Sequence, residues 1–439
     1  MKWTRTRAAG ALAVGTASAL VLSACGGGDE VSPTPTVHDP VTLTVAYWGN
    51  FGFTEDAKGP SLESVYEDAR DWVSLEMNST EYNAAHDNLT QALIAGSGAA
   101  NVAAIDEGFI TGFVAQADGF VNLLDLGAGQ YEANYLPWKW DQAANADGSV
   151  VIGLGSDVGG MAMCYRADLF EAAGLDADRD AVSAALGDSW DDFIAVGEEY
   201  VAATGDKFVD NATNILNPAM TQLGTGYAYY DRNNELDMAA AKPAFDIALD
   251  VIEAGLSAGI GAWSPEWNAG FANGDFSVLA CPAWMLGYIE GQISADEFTG
   301  QWDIADIPGD GGNWGGSFYT VPKQGTAYEQ ESAYKFIEWI IQPEQQLKIM
   351  EETGNLPSQI SILESDDVSQ FTNAFFNDAP YGEIFAKTVL DIPAAIYYAP
   401  NNGAIRVAVE SVLNDVQAGN VAIADAWDAA VTAAEAADV

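Results

Sequence analysis

The sequence predicts an α/β protein of more than one domain, and three observations carry that reading. Short runs alternate apolar and polar residues at period two, as strands do. Helical-period runs fall between them, the order expected of an α/β architecture with mostly parallel pairing. The chain has 439 residues, 49% hydrophobic and 11% aromatic, enough core for two or three domains. The same chain holds 64 Asp and Glu against 16 Lys and Arg, a formal net charge of −48. A protein that binds nucleic acid neutralises phosphate with clustered Lys and Arg, which are scarce here, so that class is excluded. The apolar content excludes disorder as the meaning of the acidity. Histidine occurs twice, at His38 and His86. No metal site and no cofactor are expected, and any histidine-based triad would rest on His86 alone.

Residues 1–7 carry Lys2, Arg5 and Arg7 and no acid, and 8–22 form an uncharged run of small and apolar residues. At ~1.5 Å per residue that run spans ~22 Å, short of the ~30 Å hydrocarbon core, so 1–24 reads as a signal peptide. Leu22-Ser23-Ala24-Cys25 resembles the lipobox of bacterial lipoproteins. The resemblance implies an acylated Cys25 at the mature N-terminus, with the chain exported and held at the outer face of the cytoplasmic membrane by lipid alone. Losing 1–24 takes the net charge to −51. Residues 25–40, rich in Gly, Pro, Ser and Thr, make a flexible tether in which His38 is inert. Cys164 and Cys281 remain, and export permits them one disulfide; two buried thiols are the alternative.

In the mature chain, Val41, Leu43, Val45 and Tyr47 share one face of a strand over 41–48 that runs into the turn at Asn50. Helices follow over 61–75 and 82–95, the second stopped by Gly96. A short apolar strand over 101–105 leads to Asp106 and Glu107 at a helix start. In α/β sheets ligands sit at such carboxyl ends of strands, where Trp48 and Asp106 fall. Ser189 caps a further helix, with Asp192 at its third position. A buried strand over 276–280 delivers Trp284. The loop 309–317 is glycine-rich without the Lys-Ser/Thr ending of a phosphate loop. A long helix is expected over 334–352, stopped by Gly354. Ile405, Val409, Val412, Leu413 and Val416 mark one face of another.

Taken in order, several segments resemble the carbohydrate-binding family of extracellular solute-binding proteins that serve ABC importers, which includes maltose-binding protein. They are 89–102 (LTQALIAGSGAANV), 163–174 (MCYRADLFEAAG) with the Ser189 cap, 271–284 (FANGDFSVLACPAW), 314–322 and 354–358 (GNLPS). The chain departs from the family at Ala100-Asn101, where Pro-Asp is common. The resemblance implies a two-lobed, type II periplasmic-binding fold with three hinge crossings and a cleft that closes on a sugar. Its lobes would be 41–156 plus 316–360, and 157–315 plus 361–439, with crossings near 155–160, 308–316 and 360–367. Cys164 and Cys281 would then lie on strands of one lobe. The chain would be a monomeric binding protein, not an enzyme, partnered by the permease's transmembrane subunits.

A neutral sugar presents hydroxyls at its edges, which carboxylates and amides satisfy, and C–H groups on its faces, which stack on aromatic rings. Trp284 and Trp314 are the leading stacking candidates, followed by Trp48 at the first strand's end. Trp263 and Trp267, flanking Pro265 on a loop, are further candidates with lobe core as the competing role. Asp106 and Glu107 are the hydroxyl partners, against a purely capping role. Asn50, then Tyr397, Tyr398 and Asn401 in a stretch that lines the cleft in the resembling family, and, more weakly, Asp157 complete the set. His86 is assigned to helix packing. Trp with carboxylates also suits a cation such as a polyamine or quaternary amine. A surface glycoside hydrolase using Asp106 or Glu107 is the remaining alternative.

Overall fold

Strand β1 (Val41–Trp48) forms as its alternation dictates, with Val41, Leu43, Val45 and Tyr47 buried. The computed structural model describes residues 38–54, 59–224, 228–231, 235–309, 311–392, 399 and 401–438. Cys25 with its lipobox, and Tyr397 and Tyr398, lie outside the described residues.

The expected helix over 61–75 is corrected. It runs only from Leu62 to Asp68, capped by the Ser61 hydroxyl, and is followed by β2 (Val73–Thr80). The Glu67 side chain accepts the Leu75 N–H at 2.6 Å, so the helix ends on a tie to the strand that follows it. Beyond helix Tyr82–Ala95 come β3 (Val102–Asp106) and helix Glu107–Val114. Then follow β4 (Gly153–Gly155), β5 (Asp157–Val158), β6 (Met161–Arg166), β7 (Val278–Pro282), β8 (Trp302–Ala305), β9 (Ser317–Thr320) and β10 (Leu356–Pro357).

The strands make a five-stranded sheet in the order β2-β1-β3-β9-β4, a three-stranded sheet β7-β6-β8 and a short ladder β10-β5. Among the described strands, β1 pairs parallel with β2 and β3 and the other ladders are antiparallel, which corrects the expectation of mostly parallel strands. The reason is topological. The chain leaves the first sheet after β4, builds the second, and re-enters the first as β9, running against β3 and β4. It then departs again, and helix Tyr381–Leu390 packs on β6.

Each sheet has its own core. Leu43, Val45, Ile105, Phe318 and Tyr319 centre the first. In β6, Met161, Met163 and Tyr165 face one cluster while Ala162 and Cys164 face another, so that sheet is buried on both sides. Cys164 and Cys281, on neighbouring β6 and β7, are joined by a disulfide. The single helix expected over 334–352 is two, Ala327–Ile340 and Pro343–Thr353. Pro343 lacks the N–H that would continue the first helix and instead opens the second. Trp263 and Trp267 do not share a loop: Ser264 caps a helix over Pro265–Asn273 that contains Trp267.

Candidate functional site

The passages between the sheets converge on a few residues. Gly159 N–H donates to Asn313 Oδ1 (2.8 Å), Trp314 N–H to the Gly159 carbonyl (2.8 Å), and Ser317 N–H to Asp157 Oδ1 (3.0 Å). The strands β5 and β10 pair beside them. Two glycines make this approach possible. A Cβ on Gly159 would sit 1.8 Å from the Trp314 carbonyl oxygen, and Gly316, at φ +116°, would put one 2.5 Å from that of Asp157.

Asp106 and Glu107, adjacent at the end of β3, point into different surroundings. Asp106 caps helix Glu107–Val114: Oδ1 accepts the Gly108 N–H (2.8 Å) and the Tyr82 hydroxyl (3.0 Å). Its own N–H donates to His86 Nε2 (3.0 Å). Oδ2 takes none of these bonds and faces Gly315, where a Cβ would be 3.9 Å from it and 3.5 Å from Trp284 Nε1. Glu107 is buried. Its oxygens accept from Asn313 Nδ2 (3.0 and 2.9 Å), Gly315 N–H (3.0 Å) and Gln142 Nε2 (3.4 Å). Glu107 therefore spends its oxygens on the crossing, whereas Asp106 keeps one outside its capping bonds.

Beneath Glu107 lies Lys139, with no solvent exposure and, among the described residues, no hydrogen-bond partner at Nζ, 3.8 Å from the centroid of the Phe318 ring. Burial pushes its pKa down, against the opposing pull of Glu107, Asp157 and Asp106. Burial likewise pushes Glu107 up to about 7 and raises Asp157, although Lys139 holds both back. Three buried ionisable groups thus form the floor, and Asp157 belongs to that floor.

The wall is aromatic. Trp284 follows β7 and donates Nε1 to the Trp314 carbonyl (3.0 Å). Its ring centroid is 6.0 Å from Trp314 and 5.8 Å from Trp263, the latter pair stacked at 22°. All three keep solvent access. Trp263 is 49% exposed and sits at φ +68°, a left-handed backbone that is costly for a non-glycine residue. Trp267 is sealed: fully buried, it donates Nε1 to Asp210 Oδ2 (2.7 Å), so it is core, not cleft. Burial raises Asp210 to about 6.

Trp48 stands at the end of β1, edge-on to Tyr82 (5.5 Å) and near His86 (4.8 Å), and Tyr82 connects it to Asp106. Asn50 spends its side-chain oxygen on Gly52 N–H in the turn. Asn401 donates to the Ala437 carbonyl and ties down the C-terminal helix. Arg406, on helix Asn402–Gln417, lies 3.8 Å from Glu410 and within electrostatic reach of Tyr82 and Asp106. The structure thus brings Asp106 and Trp284 to Gly315 beside Trp314, with Trp263 stacked on Trp284 and Trp48 joined to Asp106 through Tyr82. Sequence reasoning missed Asn313, Lys139, Tyr82 and Arg406. Only the glycine-rich run around Asn313 signalled that a crossing lay there.

Residues 65–377 match the profile of the bacterial extracellular solute-binding protein family. A solved structure of an extracellular solute-binding protein of family 1 is 34% identical and superposes with a TM-score of 0.81, the match covering 91% of this chain and 100% of that one. An ABC-transporter-associated binding protein from B. animalis subsp. lactis, solved with β-1,6-galactobiose, is 22% identical (TM-score 0.71; 90% and 97% covered). The galacto-N-biose/lacto-N-biose I-binding protein of Bifidobacterium longum, solved with lacto-N-biose, is 17% identical (TM-score 0.71; 92% and 98% covered). No curated protein matches the sequence. The fold is the two-lobed α/β arrangement of these binding proteins.

Proposed function

The chain belongs to the bacterial extracellular solute-binding protein family, and from that premise we propose that it captures a neutral carbohydrate between its lobes for an ABC importer. The observation that carries this reading is the cluster of part-open indoles of Trp284, Trp314 and Trp263, whose Trp284 member reaches Gly315 where Asp106 Oδ2 also faces. Ring faces take the apolar faces of a sugar, and a carboxylate oxygen takes its hydroxyls. Structural neighbours solved with galactobiose and lacto-N-biose support the same ligand class.

The lobes are 41–156 plus 316–360, and 157–315 plus 361–439, and they close as a hinged trap on the ligand. The mature protein is a monomer held by lipid on Cys25 at the outer face of the membrane, where it passes its sugar to permease subunits. Replacing Cys25 with Ala should release it into the medium.

The deciding experiment is a thermal-shift screen with maltose, β-1,6-galactobiose, lacto-N-biose and their monosaccharides. A binder at a hundred times its Kd stabilises the fold by about 2.7 kcal/mol. A flat response to every sugar, with a shift on adding a polyamine or choline, would replace the carbohydrate by a cation. Three indoles beside one carboxylate oxygen also make a cation cage.

A further inference from the structure

We propose that His86 is a positioning residue for the site, holding Asp106 in place through its backbone amide, and that protonation of His86 releases this hold and weakens sugar binding in acid. The inference rests on the carbohydrate reading above and adds a control to the same cleft.

The two ring nitrogens have fixed roles. Nδ1 lies 2.8 Å from the Tyr82 carbonyl, which only accepts, so Nδ1 carries the proton. Nε2 lies 3.0 Å from the Asp106 amide, which only donates, so Nε2 must be a bare lone pair. Both bonds therefore require the neutral ring. A protonated ring would set an Nε2–H against the Asp106 N–H, donor facing donor.

The ring cannot easily turn away. It is 2% exposed and stacked on Phe109 at 3.9 Å and 11°, with Trp48 at 4.8 Å. Tyr82 closes the loop: its carbonyl accepts from His86 and its hydroxyl donates to Asp106 Oδ1 (3.0 Å). The residue whose Oδ2 faces the Trp284 wall is thus held by its side chain and its amide from one turn of helix Tyr82–Ala95.

Burial lowers the pKa of His86 below its ordinary 6.5, while the Tyr82 carbonyl and the carboxylates of Asp106, Asp87 and Glu81 pull it back up. Arg406 lies within reach of Tyr82 and Asp106 from the facing helix. The hold is complete above the folded-state pKa and is lost as pH falls through it, a window below 6.5. Burial pushes Glu107 up to about 7 as well, so the His86 ring signal, and not the affinity curve alone, identifies the step that belongs to His86.

The test uses the mature chain with β-1,6-galactobiose, lacto-N-biose and maltose as probes. Affinity is measured by calorimetry from pH 7.5 to 4.5. The two imidazoles, His38 and His86, are followed by nitrogen-detected NMR. Affinity should fall about tenfold along the His86 titration. The Asp106 amide resonance should move at the same midpoint in sugar-free protein. His86→Gln supplies an amide oxygen as acceptor, so it should bind within a few-fold of the parent at pH 7.5 and lose the acid step. His86→Phe should bind weakly at every pH. An Asp106 amide indifferent to His86 protonation, or an acid step that persists in His86→Gln, overturns the proposal. If none of the three sugars binds at pH 7.5 the carbohydrate reading fails instead, and the sugar-free amide titration still decides the role of His86.

Discussion

The floor and the wall of the cleft use the same ingredients, carboxylates and aromatic rings, on opposite sides of Gly315. In the floor, Glu107 accepts from Asn313, Gly315 and Gln142, and Lys139 lies sealed against Phe318. In the wall, Asp106 keeps Oδ2 outside its capping bonds and Trp263, Trp284 and Trp314 remain part open. Asp106 and Glu107 are neighbours in the chain, yet one keeps an oxygen outside its hydrogen bonds and the other spends both on the crossing. An acid whose acceptors are all engaged fixes geometry, and an acid with an oxygen to spare beside open rings can bind.

The sharpest way to break this contrast is to strike the floor. Lys139→Met leaves Glu107 and Asp157 buried without their counter-charge and should cost about 3–5 kcal/mol in urea unfolding at pH 8. The loss should shrink at pH 5, because Glu107, whose pKa is raised by burial, is then already protonated. Equal losses at both pH values would mean that Lys139 contributes through packing alone.

Two tryptophans sharpen it next. Trp267→Ala should cost about 3–5 kcal/mol of stability, as a core truncation does. Trp284→Ala should hold the melting temperature within a few degrees while sugar affinity falls tenfold or more, about 1–3 kcal/mol. A Trp284→Ala protein that unfolds early would move that ring from wall to core. Trp263→Ala, at the exposed rim, should weaken binding only about two- to fivefold, since a rim contact keeps water on one side. The smallest effect is that of salt. Raising NaCl from about 0.1 to 1 M should alter affinity for a neutral sugar by less than about twofold, whereas a cationic ligand would be lost steeply.

What the sequence revealed was local. The alternation of β1, the Gly96 stop, the Ser189 cap and the buried face from Ile405 to Val416 each depend on neighbours along the chain, and each is present. Strand direction was not legible, because β9 pairs with β3 more than two hundred positions away. The alternation in β2 was there to see, and a helix start at Ser61 overshadowed it. Nothing distinguishes Asp106 from Glu107 in a one-dimensional pattern; a rotation about the helix start sends one side chain to Gly315 and the other to Asn313. Lys139, in the run Pro137-Trp138-Lys139-Trp140, carries no mark of burial, since its chamber exists only once Gly316 and Phe318 return from the far end of the chain.

The tryptophan wall has an optical consequence. Indoles whose centroids lie 5.8, 6.0 and 6.5 Å apart are close enough for their transition dipoles to couple, so Trp263, Trp284 and Trp314 should respond as one chromophore rather than three separate fluorophores. A ring seated against that cluster replaces water at the indole faces and alters the angles among their transition dipoles. Near-ultraviolet circular dichroism and the emission maximum of the unlabelled protein should therefore change on occupancy, which makes the receptor its own sensor.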